Sequence, residues 1–179
     1  MLNGAFGVGK TTVADLIRRA VPGSLVYNPE LVGWALQRLP RWIHLHGAGT
    51  DDFQDIELWR KSAVAGVRLA RVVVRGPIIV PMAFSRRDYF DEVVAGMSGL
   101  DSTVRVLCLR AGMPAILERL AMRGDDVSGS EWVLRKARAC VAAHEDEHFG
   151  EPIDAEQRSA WEVAQEILDH LGLPYSPPS

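Results

Sequence analysis

Several absences narrow what this chain can be. Its two cysteines, Cys108 and Cys140, have no C-x-x-C spacing, so neither a redox motif nor a thiolate metal site is encoded. Cys108 lies in an apolar run and Cys140 in a helical pattern, so both read as reduced core residues of a cytoplasmic protein. No apolar run reaches the ~18 residues of a membrane span, so no transmembrane segment is expected. No signal peptide is visible, because the opening residues run straight into a glycine-rich motif. There is no basic surplus either. Twenty Lys and Arg stand against 23 Asp and Glu, for a net charge of −3. Nucleic acid is therefore excluded as a main partner, since phosphate backbones select a basic face. Repeats and linkers are also missing. Residues 1–174 read as one domain and residues 175–179 as a disordered tail. The composition, 47% hydrophobic and 24% charged over 179 residues, suits a globular domain with a full core. Oligomeric state is not encoded in any pattern.

What is present begins at the fourth residue. Gly4-Ala5-Phe6-Gly7-Val8-Gly9-Lys10-Thr11 fits G-x-x-x-x-G-K-[ST], the phosphate-cradling P-loop. Glycines let backbone N–H groups turn inward around phosphate oxygens, because residues without Cβ tolerate φ > 0. Lys10 reaches the β- and γ-phosphates of ATP, and the Thr11 hydroxyl is the Mg²⁺ ligand. Thr12 continues the loop into a helix whose N-terminus faces the same anion. Only Met1-Leu2-Asn3 stand ahead of the loop, against ~5–6 residues in a typical strand. Either the first strand is very short or the start codon has been called a few codons late.

Downstream, strand and helix patterns alternate. Val13, Leu16, Ile17 and Ala20 fall at helical spacing, and Pro22-Gly23 end that helix. Ser24–Tyr27 reads as a short strand, and Asn28-Pro29 open a helix striped by Val32, Ala35, Leu36 and Leu39. A long helix is expected from Glu57 to Arg71, a buried strand over Pro77–Met82, and a capping box at Ser85-Arg86-Arg87-Asp88 before a helix ending near Gly99. Thr103–Leu109 reads as a strand. Helices follow from Pro114 to Arg123-Gly124 and, after the box Ser128-Gly129-Ser130-Glu131, to about His144. A short strand near Pro152-Ile153 and a helix from Ser159 to Leu171 close the domain. Such alternation implies an α/β fold, a P-loop, kinase-like parallel sheet with helices on both faces and ligands at the carboxyl ends of the strands.

The kind of P-loop protein is narrowed by further residues. GTPases read guanine through N-K-x-D, which is absent here. Arg119 and Arg123 lie four apart on one helical face before a polar loop, where small kinases carry a lid whose arginines neutralise the transferring phosphoryl group. The competing reading is a solvated helix end with cations near its C-terminus. Tyr27-Asn28-Pro29-Glu30 ends the second strand across the crevice from the P-loop. There Asn28 touches the acceptor or caps a helix, and Glu30 acts as general base or helps to hold Mg²⁺. Asp51-Asp52-Phe53-Gln54 followed by Leu58-Trp59-Arg60 gathers carboxylates, an amide, a ring and a guanidinium at a loop-to-helix junction. The amide pairs with a base or sugar, the Phe53 ring stacks on it, Arg60 binds a phosphate, and Asp52 is a catalytic carboxylate, unless the acids merely cap the helix.

Together these segments, with Asn3 and Ile79-Val80-Pro81-Met82, resemble the tunicamycin-resistance ATP-binding family, related to the nucleoside kinases. The similarity runs from about residue 3 to the final helix. It implies a protein that binds ATP and protects against tunicamycin, a uracil-containing nucleoside antibiotic, by phosphorylating it or by sequestering it. A metabolic nucleoside or small-molecule kinase is the remaining alternative. Adenine is expected near Asp154–Arg158, with Arg158 stacking on the base. Two departures stand out. Asn28 occupies a position where the family usually has Asp, and the strand ending at Met82 carries no acid of the Walker B kind. His44 and His46 have no partners at zinc-like spacing, Trp34, Trp132 and Trp161 read as core, and Trp42 lies in a loop placed to cover the acceptor.

Overall fold

Three residues at the middle of the sheet organise the rest. The computed structural model describes residues 1–30, 52–123 and 130–178; the side chain of Phe53 also lies outside that description. Strand β1 (Leu2–Gly4) pairs in parallel with β4 (Leu107–Arg110), matching Leu2 with Leu107 and Gly4 with Leu109. On its other side the Leu2 N–H donates to the Val80 carbonyl (2.9 Å), and the Met82 N–H donates to the Leu2 carbonyl (3.0 Å). Those bonds join it to the extension of β3 (Ile78–Ile79), which pairs with β2 (Leu25–Val26). Strand β5 (Glu151–Asp154) completes the other edge on β4. The described strands thus run β2-β3-β1-β4-β5, all parallel. This is the sheet that the βαβ alternation implies.

Helices cover both faces. Helix α1 (Lys10–Ala20) and α6 (Ala160–His170) bury Val13, Ile17, Val163 and Ile167 against Leu107, Leu109 and Ile153. Helices α2 (Glu57–Val73) and α3 (Arg87–Leu100) bury Trp59, Val93 and Met97 on the opposite face with Met82 and Phe84. A third cluster joins α4 (Met113–Arg123) to α5 (Glu131–Ala143) through Ile116, Leu120, Val133, Ala137 and Cys140, under the opening loop. Both cysteines are buried and free, and burial pushes their thiols up to about 11 for Cys108 and about 12 for Cys140. No described helix is long and apolar enough to cross a membrane.

Local chemistry moves some expected boundaries. Ser159 caps α6 in a full capping box with Glu162, and the Ser130 hydroxyl accepts from the Val133 N–H to cap α5. The box expected at Ser85 does not form. Arg86 is the N-cap of α3, and its guanidinium holds the Asp88 carboxylate (2.5 Å) while stacking 3.9 Å from the Tyr89 ring centre. Strand β4 begins at Leu107 rather than Thr103, because Asp101 draws the Thr103 N–H (2.9 Å) and hydroxyl (2.6 Å) into a turn. Tyr175 and Ser176, assigned to the tail, are anchored. The Tyr175 ring packs against Trp161, and the Ser176 N–H donates to the Ala20 carbonyl (3.0 Å). The helix expected after Pro29, with Trp34, Trp42, His44, His46 and Asp51, lies outside the described residues, as do residues 124–129.

Beneath the opening loop sits a buried polar knot. Asn3 is fully buried; its Oδ1 accepts from the Phe84 N–H (3.0 Å), and its Nδ2 donates to the Phe149 carbonyl (3.1 Å). The Phe84 carbonyl lies 2.7 Å from His144 Nε2, which therefore carries the proton and donates to it. Burial holds His144 down to about 4 from an ordinary 6.5. A base held neutral in the fold contributes fully above its unfolded value and loses that contribution as pH falls toward the folded one. Thermal unfolding followed from pH 7 to pH 4 should show His144→Gln losing less stability than the parent, by ~3 kcal/mol at the acid end. Parallel curves would show that His144 takes up its proton equally in the folded and unfolded states, so that burial does not depress its pKa.

Candidate phosphate-binding and acceptor site

The loop between β1 and α1 supplies an anion nest. Gly7 (φ +82°) and Gly9 (φ +106°) adopt left-handed conformations that favour glycine, and α1 begins at the very next residue, Lys10. A Cβ on Gly7 would also approach Leu120 Cγ to 2.7 Å, so the loop rests directly on α4. Lys10 is only 7% exposed. Its ammonium donates to the Ala5 carbonyl (2.9 Å) and lies 5.5 Å from the Phe6 ring centre. Burial lowers its pKa, and the nearby Glu30 opposes that shift. A buried cation held by one carbonyl and a ring face has unused donor capacity, which a phosphate would fill.

Around this loop opens a cavity of about 660 Å³, inside the ~300–1,000 Å³ range of small-ligand sites. Its wall runs from Phe6 through Thr11 and Thr12 to Val13, then takes in Asn28 and Glu30 at the end of β2, and Arg119 and Arg123 on α4. Ala155 and Arg158 close the side next to α6. The cavity thus collects the phosphate loop with five of the other residues singled out by the sequence. Gly4 and Ala5 are buried and do not line it.

Each collected residue has a distinct setting. Asn28 Oδ1 accepts from the Glu30 N–H (3.0 Å), the capping arrangement. Glu30 carries a buried Oε1 with no hydrogen-bond partner among the described residues. Its pKa is raised, chiefly by burial; Lys10 and Arg123 pull it down, and Asp52 pushes it further up. The Arg119 guanidinium donates to the Val8 carbonyl (3.0 Å) and to the Ala155 (2.5 Å) and Glu156 (3.1 Å) carbonyls, strapping the phosphate loop to the β5–α6 turn. Arg158 is paired with Glu166 and donates to the Asp154 (3.1 Å) and Glu162 (3.0 Å) carbonyls. Its guanidinium holds the start of α6 while facing the cavity.

Asp52, Gln54 and Arg60 do not form part of the cavity wall. They build a buried polar chain instead. Asp52 Oδ1 accepts from the Gln54 N–H (3.0 Å), and its Oδ2 is paired with Lys136 on α5. Gln54 donates its amide to the Ala83 carbonyl (2.9 Å). Arg60 donates to the Gln54 carbonyl (2.7 Å) and to Glu92 (2.5 Å), and stacks 4.2 Å from the Tyr89 ring centre. Lys136 escaped the reading of the sequence. One signal was available: it lies on the α5 line of Trp132 and Cys140, spaced by four, where a lysine flanked by core residues needs a buried partner.

Whether the residues present fit ATP and Mg²⁺ is a matter of donor chemistry. Left-handed glycines, a buried ammonium with spare donors among the described residues and three arginines on one cavity fit a polyphosphate. The Thr11 hydroxyl faces the same cavity, and Mg²⁺ bound largely by phosphate oxygens and water needs few protein ligands. No cluster of three His, Cys, Asp or Glu side chains suited to a metal occurs among the described residues. Gly7→Ala combines a positive φ with a close approach to Leu120, so it should lower the melting temperature and weaken nucleotide binding ~10-fold or more. Wild-type melting and affinity in that variant would show that the loop does not need glycine there.

Among solved structures, this chain is similar to a tunicamycin resistance protein from Deinococcus radiodurans, with 25% identity, a TM-score of 0.77, and coverage of 99% of this chain and 97% of that one. A sugar kinase from a Janibacter species matches at 20% identity and TM-score 0.68, over 96% and 92% of the two chains. The shikimate kinase from Bacteroides thetaiotaomicron matches at 14% and 0.61, over 96% and 97%. No protein-family profile and no curated protein sequence matches the chain. The fold is that of the kinase-like P-loop proteins, and the resemblance to tunicamycin-resistance proteins extends to three dimensions.

Proposed function

We propose that this protein transfers the γ-phosphoryl group of ATP to a hydroxyl of a nucleoside-type small molecule, with tunicamycin or a similar antibiotic as the acceptor. The observation that carries the reading is the meeting, in one cavity, of the phosphate loop with Lys10, Arg123 and Glu30, whose buried Oε1 has no hydrogen-bond partner among the described residues. Likeness to the Deinococcus protein supports the antibiotic, and likeness to sugar and shikimate kinases supports phosphoryl transfer to a small molecule.

Each residue then has a task. Amides of residues 7–11 and the Lys10 ammonium would hold the β- and γ-phosphates, and Thr11 would hold Mg²⁺, which would offset phosphate charge. Arg123 offsets charge as the phosphoryl group leaves ADP. Glu30 takes the proton of the acceptor hydroxyl while the new P–O bond forms. Burial raises the proton affinity of Glu30, the direction that a proton acceptor needs. Asp52, read from the sequence as catalytic, has one oxygen on the Gln54 N–H and the other on Lys136, so its role is to shape the acceptor side. Arg119 and Arg158 frame the base between the phosphate loop and α6.

The second reading is ATP-dependent sequestration of the drug without chemistry. It draws support from β3, whose extension through Met82 ends without a carboxylate. Incubation with ATP, Mg²⁺ and tunicamycin followed by mass spectrometry separates the two. Transfer adds ~80 Da to the drug, one HPO₃. Unmodified drug retained by nucleotide-loaded protein would mean sequestration, and neither result would leave a metabolic acceptor as the target. Glu30→Gln should retain ATP affinity and lose ~10²–10⁴ in turnover. Undiminished turnover would remove Glu30 from the reaction.

A further inference from the structure

The acceptor side of the cavity is braced from outside it. Asp52 and Lys136 come from segments far apart in sequence and meet as a largely buried ion pair, with side chains 11% and 22% exposed. Such a pair costs desolvation and persists where the surrounding fold holds both partners in place. From it the polar chain runs through Gln54 and Arg60 to Glu92 on α3, so one continuous set of bonds spans from α5 to α3. The same segment reaches the cavity wall. Trp59, one residue before Arg60, donates its Nε1–H to the Pro29 carbonyl (2.8 Å), and Pro29 immediately precedes Glu30. Asp52 also acts on Glu30 directly through its charge.

We infer that Lys136 is a positioning residue for the acceptor: its ammonium neutralises and fixes Asp52, and through that chain it sets the place of Glu30 at the cavity wall. The inference rests on the phosphoryl-transfer reading for its catalytic meaning, but the brace itself is a physical claim about the fold. Without Lys136, Asp52 loses the ammonium that holds its Oδ2, while its Oδ1 keeps the Gln54 N–H. Arginine can replace the ammonium as a donor; methionine keeps the volume and removes the charge.

The test uses full-length protein with Lys136→Met, Lys136→Arg and the double variant Lys136→Met/Asp52→Asn. Tunicamycin affinity is measured by calorimetry on protein loaded with a non-hydrolysable ATP analogue, and amide exchange is followed at residues 52–55. Lys136→Met should weaken drug binding ~10-fold or more, leave nucleotide affinity within about twofold, and speed exchange of the Gln54 amide. Lys136→Arg should behave as the parent. The double variant should regain most of the drug affinity, because an amide of the same shape replaces the carboxylate that Lys136 held. Equal losses for nucleotide and drug, a double variant no better than the single, or unchanged Gln54 exchange would each overturn the inference. Parent protein that takes up nucleotide but no tunicamycin would instead overturn the proposed acceptor, and the exchange result alone would then decide the brace.

Discussion

A buried ammonium with few partners among the described residues dominates the carboxyl edge of the sheet. Lys10 has lost most of its water and keeps the Ala5 carbonyl and the face of Phe6. Removing a cation from water costs several kcal/mol unless opposite charge or hydrogen bonds replace the solvent. Glu30 supplies part of that charge, and its own Oε1 has no hydrogen-bond partner among the described residues. The two groups leave a local charge pattern that, in the proposed reading, a phosphorylated ligand with a neighbouring hydroxyl would complete. The left-handed glycines and the helix that starts at Lys10 add backbone donors to the same spot.

The rest of the fold holds this arrangement still. Strand β1 is only three residues long, yet it is bonded on both sides, and Asn3 uses both ends of its amide below the loop. Arg119 ties the loop to the β5–α6 turn from above. On the acceptor side, the chain from Lys136 to Glu92 joins α5 and α3. These fixed groups surround a cavity whose wall has few charges, most of them cationic. Preorganised donors of this kind stabilise developing charge without reorganising during the reaction.

Much of this was legible in the residues. The octapeptide at residues 4–11, the alternation of apolar periods and the arginines spaced by four all report local chemistry, and local chemistry is what a sequence displays. Strand and helix order survived because each element has its own periodicity, whereas the box at Ser85 failed because Arg86 competes for Asp88. The acceptor side was legible only in part. Asp52, Gln54 and Arg60 looked like ligand contacts because their types suit a nucleoside, and nothing local reveals that Lys136, 84 residues away, takes the carboxylate. Glu30 and Asp52 look alike as residues. What separates them is burial and partners, which only the tertiary structure supplies. The knot of Asn3 and His144 escaped for the same reason, since its bonds join Asn3 to Phe84 and Phe149, 81 and 146 residues away, and Phe84 to His144.

Calorimetric titration of the folded, full-length protein with ATP in the presence of Mg²⁺ bears most directly on the buried ammonium. Saturable uptake of one nucleotide per chain is expected, and Lys10→Ala should abolish it while the protein stays folded by circular dichroism. A folded parent protein that releases no heat and binds no nucleotide, or a Lys10→Ala variant that binds as the parent does, would contradict the account.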